Sequence, residues 1–301
     1  MECLFGPVLS RRLGLSMGVD LLRYKTCNLD CVYCELGKTR CLAEGRDRFV
    51  PPEMVLREIK SRKEEDFDHL TFAGSGEPTL SRDLGEIMRR SKEIVDVPVA
   101  VITNSTLLTN PQVRSEVATA DVVLPSLDAA TQATFEKINR PAKNLRIDQI
   151  IEGLQTFRSE FSGEIWLEVM LVKDVNDIEI EQISRAIESI GPDRVQLNTV
   201  VRPPAEPVRP LDESEMMGVL RAFNNAEIIP DWDWRVPEST EAKLLEIMSD
   251  RPCTIDEIHE LACLDKSTAV KYAIILERDG KIERRLIKGM YHFQASSHDQ
   301  I

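Results

Sequence analysis

The sequence predicts an α/β protein with a C-terminal winged helix-turn-helix domain. Apolar strand segments alternate with amphipathic helical segments through the first two thirds of the chain. Such alternation is typical of parallel strand pairing with right-handed crossovers. Several of the strands are apolar on both faces, which suits a buried parallel sheet. The residues alone leave two architectures open, an open doubly wound sheet and a partial (β/α)6 barrel of the TIM type.

Six strands are predicted before the prolines of the stretch Val200–Pro210. They span Ser16–Leu22, His69–Ala73, Pro98–Thr103, Asp121–Leu127, Ile165–Val172 and Arg194–Val201. The first helix between them begins at Pro51-Pro52, where a missing N–H group costs no hydrogen bond. The other helices span Asp83–Ile94, Pro111–Ala118, Thr131–Ile138, Arg146–Phe161 and Ile178–Ile190. In both architectures functional groups lie at the carboxyl ends of the strands.

A different pattern follows the prolines. Asp212 caps a helix that we expect to run to Asn225, and an irregular stretch with two tryptophans comes next. Three short helices then precede a hairpin around Lys288-Gly289, and Thr254 with Glu257 forms a capping box on the middle helix. This order is typical of a winged helix-turn-helix. The predicted domains are 1–210 for the sheet, 211–237 for the connection and 238–301 for the winged helix.

The composition indicates a cytoplasmic protein. The chain has no run of eighteen apolar residues and no signal peptide, so we expect no association with a membrane. Its seven cysteines are an odd number, which suits metal or redox chemistry in a reducing compartment better than a disulfide framework. The formal charge of −13 argues against a protein that coats nucleic acid, although it is compatible with a local basic patch.

Cys27, Cys31 and Cys34 form a C-x3-C-x2-C pattern just after the first predicted strand. A structural zinc site needs four ligands, and Cys41 is the candidate for the fourth. A disulfide with one spare thiol is a second alternative, which suits neither the compartment nor the fold. The third is a [4Fe–4S] cluster held by three thiolates, in which the fourth iron is open to a substrate or cofactor. The motifs after the later strands favour the cluster.

Residues 5–206 resemble the radical S-adenosylmethionine (SAM) superfamily in several motifs that occur in order. Tyr33 fills the aromatic position before the third cysteine of the loop. GSGEPT, Gly74–Thr79, follows the second strand and looks like the family's G-G-E-P motif, with Ser75 in place of the first glycine. Taken singly, GSGEPT is also typical of a turn that enters a helix. Together the motifs favour the partial (β/α)6 barrel, with a [4Fe–4S] cluster and SAM as cofactors.

The resemblance implies a role for each strand end. The implied cluster ligands are Cys27, Cys31 and Cys34. The positions that match the family's SAM contacts are Tyr33, Gly74, Ser75, Gly76, Glu77, Pro78, Thr103, Asn104, Ser126, Asp128, Leu171 and Asn198. Among these, Gly76 and Glu77 would receive the methionine amino group. Asp128 suits the ribose hydroxyls, which donate well to a carboxylate.

The implied activity is reductive cleavage of SAM. One electron from the reduced cluster breaks a C–S bond and produces a 5′-deoxyadenosyl radical, which abstracts hydrogen from a substrate. The implied partner is an electron donor such as flavodoxin or ferredoxin. No side-chain acid or base is required for the cleavage itself. The residues that catalyse the reaction of the substrate radical are therefore unknown from the sequence.

The substrate is not identified by the motifs. The N-terminal sequence resembles a branch related to the tRNA wyosine synthases, and RNA and peptide or protein substrates both stay open. In the winged helix, Lys281, Arg284 and Arg285 are candidates for phosphate contacts, together with Lys266, Lys271 and Lys288. Winged helices also bind peptides. An alternative of another class is an iron–sulfur redox sensor that binds DNA through its winged helix.

Four cysteines lie outside the loop. Cys3 and Cys41 are candidates for an auxiliary cluster. Cys253 and Cys263 lie in the predicted winged helix, and we expect both to be buried there as small apolar side chains.

Overall fold

The computed structural model describes residues 3–39, 41–201, 204–229, 236–264, 266–287 and 290–296. Within them the main sheet has eight strands, in the order β1-β2-β5-β6-β7-β8-β9-β10. These strands are β1 (Leu4–Ser10), β2 (Gly14–Val19), β5 (His69–Phe72), β6 (Val99–Thr103), β7 (Val122–Pro125), β8 (Glu164–Leu171), β9 (Arg194–Thr199) and β10 (Ala226–Ile228). A separate pair consists of β3 (Thr26–Cys27) and β4 (Cys41–Leu42).

The strands from β5 to β10 pair in parallel. Leu70 lies opposite Val99, Val123 opposite Ile165, and Leu197 opposite Ile228. All six strands predicted from the sequence are present, with ends that differ by a few residues. The mixed α/β fold with a mostly parallel sheet is therefore confirmed. The strands β1 and β10 were not predicted, because β1 contains Pro7 and β10 is only three residues long.

Seven helices accompany this sheet in the described residues. They are α1 (Pro52–Arg62), α2 (Leu84–Ser91), α3 (Pro111–Val117), α4 (Gln132–Ile138), α5 (Ile147–Glu160), α6 (Ile180–Ile190) and α7 (Glu213–Leu220). Successive helices pack against each other, as α1 does with α2 and α5 with α6. The strands bury large apolar side chains such as Phe72 and Val101 completely. Burial of each such side chain contributes roughly 1.5–3 kcal/mol, which holds the strand ends in place.

The chain forms two compact units. The first consists mainly of Gly18–Lys63 and Leu70–Ile229. The second contains Gly6–Met17, Glu64–His69 and the described residues from 236 onward. None of the described helices combines the length and the apolar character needed to cross a bilayer.

The C-terminal part of the second unit has three helices and a hairpin. They are α8 (Glu238–Asp250), α9 (Ile255–Ala262), α10 (Lys266–Arg278) and the antiparallel strands β11 (Ile282–Ile287) and β12 (Met290–Ala295). The predicted capping box of α9 is present, since Glu257 Oε2 accepts from the Thr254 backbone N–H at 2.8 Å. The expected turn at Lys288-Gly289 and the two tryptophans before α8 lie outside the described residues.

The two cysteines of this part differ in burial. Cys253 lies in the core with Met248 and Phe293, as expected. The expectation that Cys263 is buried is wrong, because this residue is exposed. It ends α9 in a left-handed conformation with φ +55°, so its side chain leaves the apolar face of the helix.

Candidate cofactor site

The polar motifs predicted from the sequence meet at the carboxyl ends of β2, β5, β6 and β7. Parallel strands end at the same edge of a sheet, so residues far apart in sequence become neighbours there. The cysteine loop lies between β2 and α1, and β3 and β4 pair at its base, with Thr26 opposite Cys41. Within it, the backbone N–H of Cys34 donates to the Cys31 carbonyl at 3.1 Å. The three cysteines are half-buried and carry free thiols.

Each of the three thiols accepts a hydrogen bond from a different side chain. The Lys25 ammonium group lies 3.0 Å from Cys34 Sγ. Asn139 Nδ2 lies 3.3 Å from Cys31 Sγ, and Asn104 Nδ2 lies 3.6 Å from Cys27 Sγ. Donors directed at sulfur favour thiolate over thiol. This donor set fits three thiolates that ligate a [4Fe–4S] cluster.

The zinc alternative depends on Cys41 as the fourth ligand, and the side chain of Cys41 lies outside what the structure describes. In the part of the chain that the structure describes, no three His, Cys, Asp or Glu side chains are arranged to hold one metal ion. A tetrahedral zinc site requires its ligands to converge on one point. The thiolates of an iron–sulfur cluster bind different iron atoms instead, so they do not need to converge on one metal ion.

Burial raises the pKa of two of the thiols. It raises the pKa of Cys27 to about 12, and the nearby Glu77 carboxylate adds to the effect. Burial likewise raises the pKa of Cys31 above the usual range for a thiol, with Asp128 adding to it. Because metal ligands must be deprotonated, assembly of a cluster on these residues would release protons.

The GSGEPT loop packs directly against the cysteine loop, and two of its glycines are required for this contact. Gly74 has φ +133°, and a Cβ atom there would lie 2.5 Å from Asp20 Cγ. A Cβ atom on Gly76 would lie 1.8 Å from the carbonyl oxygen of Thr26. At Gly74 the positive φ strains any residue with a side chain, and at Gly76 a larger residue requires the Thr26 backbone to shift.

Hydrogen bonds from Ser75 and Glu77 complete this contact. The Ser75 carbonyl accepts from the Lys25 N–H at 2.6 Å, and Glu77 N–H donates to the Thr26 carbonyl at 3.1 Å. The backbone N–H and the hydroxyl of Ser75 both donate to the Asp20 carboxylate. The serine that replaces the family's glycine is therefore tied to the end of β2.

The Glu77 carboxylate connects the ends of β5 and β6. Its oxygens accept from Thr79 N–H at 3.0 Å, from the Thr79 hydroxyl at 2.5 Å, from the Thr103 hydroxyl at 2.7 Å and from Asn104 N–H at 2.7 Å. Glu77 is only 2% exposed, and this burial raises the pKa of its carboxyl group, while the four donors oppose the shift. Pro78 begins a short 3-10 helix after it. The carboxylate holds the loop that carries Asn104.

Asp128 connects the cysteine loop to the ends of β7 and β8. Its Oδ2 accepts from the Tyr33 hydroxyl at 2.5 Å and from Asn139 Nδ2 at 2.7 Å, and its Oδ1 accepts from Met170 N–H at 2.9 Å. Burial raises the pKa of Asp128 to about 6, although these donors oppose the shift. A cavity of about 40 Å³ lies beside this group, and Ser126 lines it.

The last two predicted SAM contacts lie on β8 and β9. Leu171 is fully buried, and its carbonyl accepts from the Thr199 hydroxyl at 2.9 Å. Asn198 is buried too, and its Nδ2 donates to Glu168 Oε1 at 2.8 Å. The structure thus brings the thiols, Tyr33, GSGEPT, Asn104 and Asp128 into one hydrogen-bonded group. The contacts of Leu171 and Asn198 with adenine stay predictions.

Sequence reasoning missed three residues of this group. They are Asp20, Lys25 and Asn139. Lys25 stands two residues before the first cysteine, and that position is the one signal that points to it. Asn139 follows α4 and has no motif around it.

The auxiliary-cluster candidate Cys3 is buried, and its backbone N–H donates to Glu58. Cys41 is described only through the backbone of β4.

The motifs of this site are those of a known protein family, as comparison with known proteins shows. A family model described as "Radical SAM superfamily" matches residues 21–187, more than half of the chain. A UPF0026 protein of Methanocaldococcus jannaschii is 33% identical over 94% of this chain and 95% of its own length. A protein of Brachyspira hyodysenteriae named GTPase Obg is 35% identical over 96% of this chain. The chain spans only 44% of the length of that relative.

Among solved structures, a radical SAM methyltransferase from Sphaerobacter thermophilus superposes with a TM-score of 0.54. The match covers 71% of this chain and 66% of the methyltransferase, with 15% sequence identity. At this level of identity the likeness concerns the fold alone.

Proposed function

We propose, because the chain belongs to the radical SAM superfamily, that it cleaves SAM reductively and uses the resulting 5′-deoxyadenosyl radical to modify a peptide or protein. Members of this superfamily bind a [4Fe–4S] cluster and SAM, so the protein is a radical SAM enzyme with these two cofactors. The observation that carries the proposal is the cysteine loop, in which each of three thiols has its own N–H donor. The bound cluster would supply one electron to the sulfonium of SAM.

The chain's own residues hold and orient the cofactors in this proposal. Cys27, Cys31 and Cys34 would hold the cluster, and SAM would bind to it through its methionine amine and carboxylate. Gly76 and Glu77 receive the methionine amino group, and the donors from Thr79, Thr103 and Asn104 hold the buried Glu77 carboxylate in place. Thr103, Asn104, Ser126 and Asp128 lie near the carboxylate and ribose, and Leu171 and Asn198 near the adenine. Closure of the sheet as a partial (β/α)6 barrel would shield this site from water.

The experiment is anaerobic reconstitution of the cluster, followed by dithionite and SAM. We expect release of 5′-deoxyadenosine and methionine, measured by liquid chromatography with mass spectrometry. The Cys34→Ser variant should lose both the product and the absorbance of the cluster. The exposed Cys263 provides the matched control, and Cys263→Ser should behave as the parent protein does. A parent protein that carries a full cluster and releases no 5′-deoxyadenosine contradicts the proposal.

Residues 238–301 form, in this proposal, a winged helix that binds the substrate. Its cations favour a peptide or protein over nucleic acid, because each wing cation with a described side chain already has an acidic neighbour. Lys281 pairs with Glu241, Arg284 with Glu277 and Arg285 with Glu283. Residues 238–301 also contain twelve acidic and nine basic residues. Nucleic-acid binding depends on Lys and Arg side chains that neutralise phosphate charge, and these acidic neighbours compete for them.

Binding of bulk tRNA tests this assignment. Fluorescence anisotropy at about 50 mM and about 200 mM salt separates the alternatives, since a protein that makes about six phosphate contacts loses about a thousandfold in affinity over this range. We expect weak binding that changes less than tenfold. Tight, salt-sensitive binding that Arg284→Ala and Arg285→Ala abolish would favour RNA instead, and with it the branch related to the tRNA wyosine synthases.

Several further points belong to the same proposal. Radical SAM enzymes usually need a reductant such as flavodoxin or ferredoxin, and we assign that partner here. The free thiols suit a cytoplasmic enzyme. The domain division into 1–210, 211–237 and 238–301 rests on the sequence. A redox sensor that binds DNA without turnover has no observation in its favour.

A further inference from the structure

We propose that the ammonium group of Lys25 binds the Cys34 thiolate and raises the reduction potential of the cluster, which makes Lys25 a positioning residue for electron transfer. This inference rests on the proposed function, since it requires that the cluster is present. It concerns a residue outside the cysteine pattern and outside the predicted SAM contacts.

The first step is the burial of a charge. Lys25 is only 2% exposed, whereas lysines are almost never buried unless they are paired. Its backbone has φ +60°, and its N–H donates to the Ser75 carbonyl, so the residue is held from the main chain as well. The contact with the GSGEPT loop therefore directs the side chain inward rather than into water.

The second step is the identity of the partner. Within the described residues, the one hydrogen bond of the Lys25 side chain goes to Cys34 Sγ, at 3.0 Å, and no carboxylate forms an ion pair with it. A neutral thiol is a weak acceptor and compensates a buried ammonium group poorly. A thiolate bound to iron is negatively charged and would therefore be the anionic partner of the Lys25 ammonium group. The position of Lys25 thus matches the ligated state of Cys34.

The third step is the asymmetry among the three thiols. Cys27 and Cys31 accept from the neutral amides of Asn104 and Asn139, so Lys25 is the one cation among the three side chains that donate to the thiols. The cluster gains one negative charge when it accepts one electron from a donor. A buried positive charge beside it stabilises the reduced state more than the oxidised state, because Coulomb interactions are strong away from water. The cluster becomes easier to reduce.

A redox titration of the reconstituted cluster, followed by electron paramagnetic resonance, tests this effect without any SAM. We expect Lys25→Met and Lys25→Gln to shift the reduction equilibrium about tenfold toward the oxidised state, a potential lower by about 59 mV for one electron. Lys25→Arg retains the charge and should stay within about threefold of the parent. Should Lys25→Met fail to fold, Lys25→Gln still reports the loss of charge, since it retains a donor of similar size.

The matched control is Lys38→Met. Lys38 is exposed, belongs to the same segment and forms an ion pair with Glu206 at 2.9 Å, so its removal should leave the potential within about threefold of the parent. The proposal is overturned when Lys25→Gln titrates like the parent, or when Lys38→Met lowers the potential as much as Lys25→Gln does. A Lys25→Gln variant that keeps the potential but loses SAM affinity would assign the lysine to the SAM carboxylate instead. A parent protein that takes up no cluster would contradict the proposed function itself.

Discussion

The Tyr33 hydroxyl donates to Oδ2 of Asp128 at 2.5 Å, across 95 positions of sequence. This bond joins the cysteine loop to the end of β7. Asp128 is buried, so its charge depends on such donors for stabilisation. The geometry of the cysteine loop is therefore coupled to a strand end that carries no metal ligand.

Tyr33→Phe should reduce the free energy of unfolding of the metal-free protein by about 1.5–3 kcal/mol, since a hydrogen bond to a buried charged group is lost. Urea denaturation monitored by circular dichroism measures the change. Tyr24→Phe is the control, because Tyr24 is exposed and its hydroxyl donates to the Leu36 carbonyl at 3.1 Å. If both variants lose the same free energy of unfolding, the Tyr33 hydroxyl does not stabilise the charge of Asp128.

The raised pKa of Asp128 predicts a pH dependence of stability. Burial raises this pKa from 3.8 to about 6, so the folded state binds the proton more tightly than the unfolded state. The stability contribution is fully present below pH 3.8 and is lost as the pH rises through 6. Relative to Asp128→Asn, the parent should lose about 2–3 kcal/mol of unfolding free energy between about pH 4 and about pH 7.

Urea denaturation of the metal-free forms at several pH values checks this difference. Asp128→Asn removes the titrating group, so the other carboxylates contribute nearly equally to both proteins and cancel in the comparison. A difference between parent and variant that is flat across this range, or that grows in favour of the parent as the pH rises, would contradict the expectation.

Gly76→Ala should destabilise the protein by about 3 kcal/mol and lower its iron content after reconstitution. The added Cβ would lie 1.8 Å from the Thr26 carbonyl, so the cysteine loop and the GSGEPT loop must separate. Thermal unfolding and iron analysis measure the two effects. Gly45→Ala is the control, because a Cβ there meets nothing within 4 Å. Normal iron content in Gly76→Ala would show that the contact is dispensable.

Glu77→Gln should weaken SAM binding by about tenfold while the cluster content stays unchanged. The amide that replaces one carboxylate oxygen would face an N–H donor, either of Thr79 or of Asn104, and such a loss costs about 1.4 kcal/mol or more. Equilibrium dialysis of the reconstituted protein measures the affinity. Glu93→Gln, which changes only an exposed pair with Arg89, should bind SAM as the parent does. If Glu77→Gln and Glu93→Gln bind SAM with the same affinity, Glu77 does not contribute to SAM binding.

The sequence pattern predicted six of the eight strands of the main sheet and also predicted the two cofactors. Alternating apolar segments determine strands and helices locally, and all six predicted strands are present. The spacing of Cys27, Cys31 and Cys34 and the GSGEPT motif pointed to the family that the comparisons establish. The sequence did not predict the two edge strands. The strand β1 contains Pro7, which is unusual inside a strand, and β10 is too short, at three residues, to show an apolar pattern.

Only the folded chain decided how the site is held. The donors to the thiols come from Lys25, Asn104 and Asn139, which are separated from their acceptors by 9, 77 and 108 positions. Such pairs depend on where strand ends converge and on the direction of each side chain, and sequence spacing encodes neither. The same reason explains Cys263, whose exposure follows from a left-handed turn at the end of α9. Local periodicity specifies elements, whereas hydrogen bonds between distant loops exist only after those elements pack.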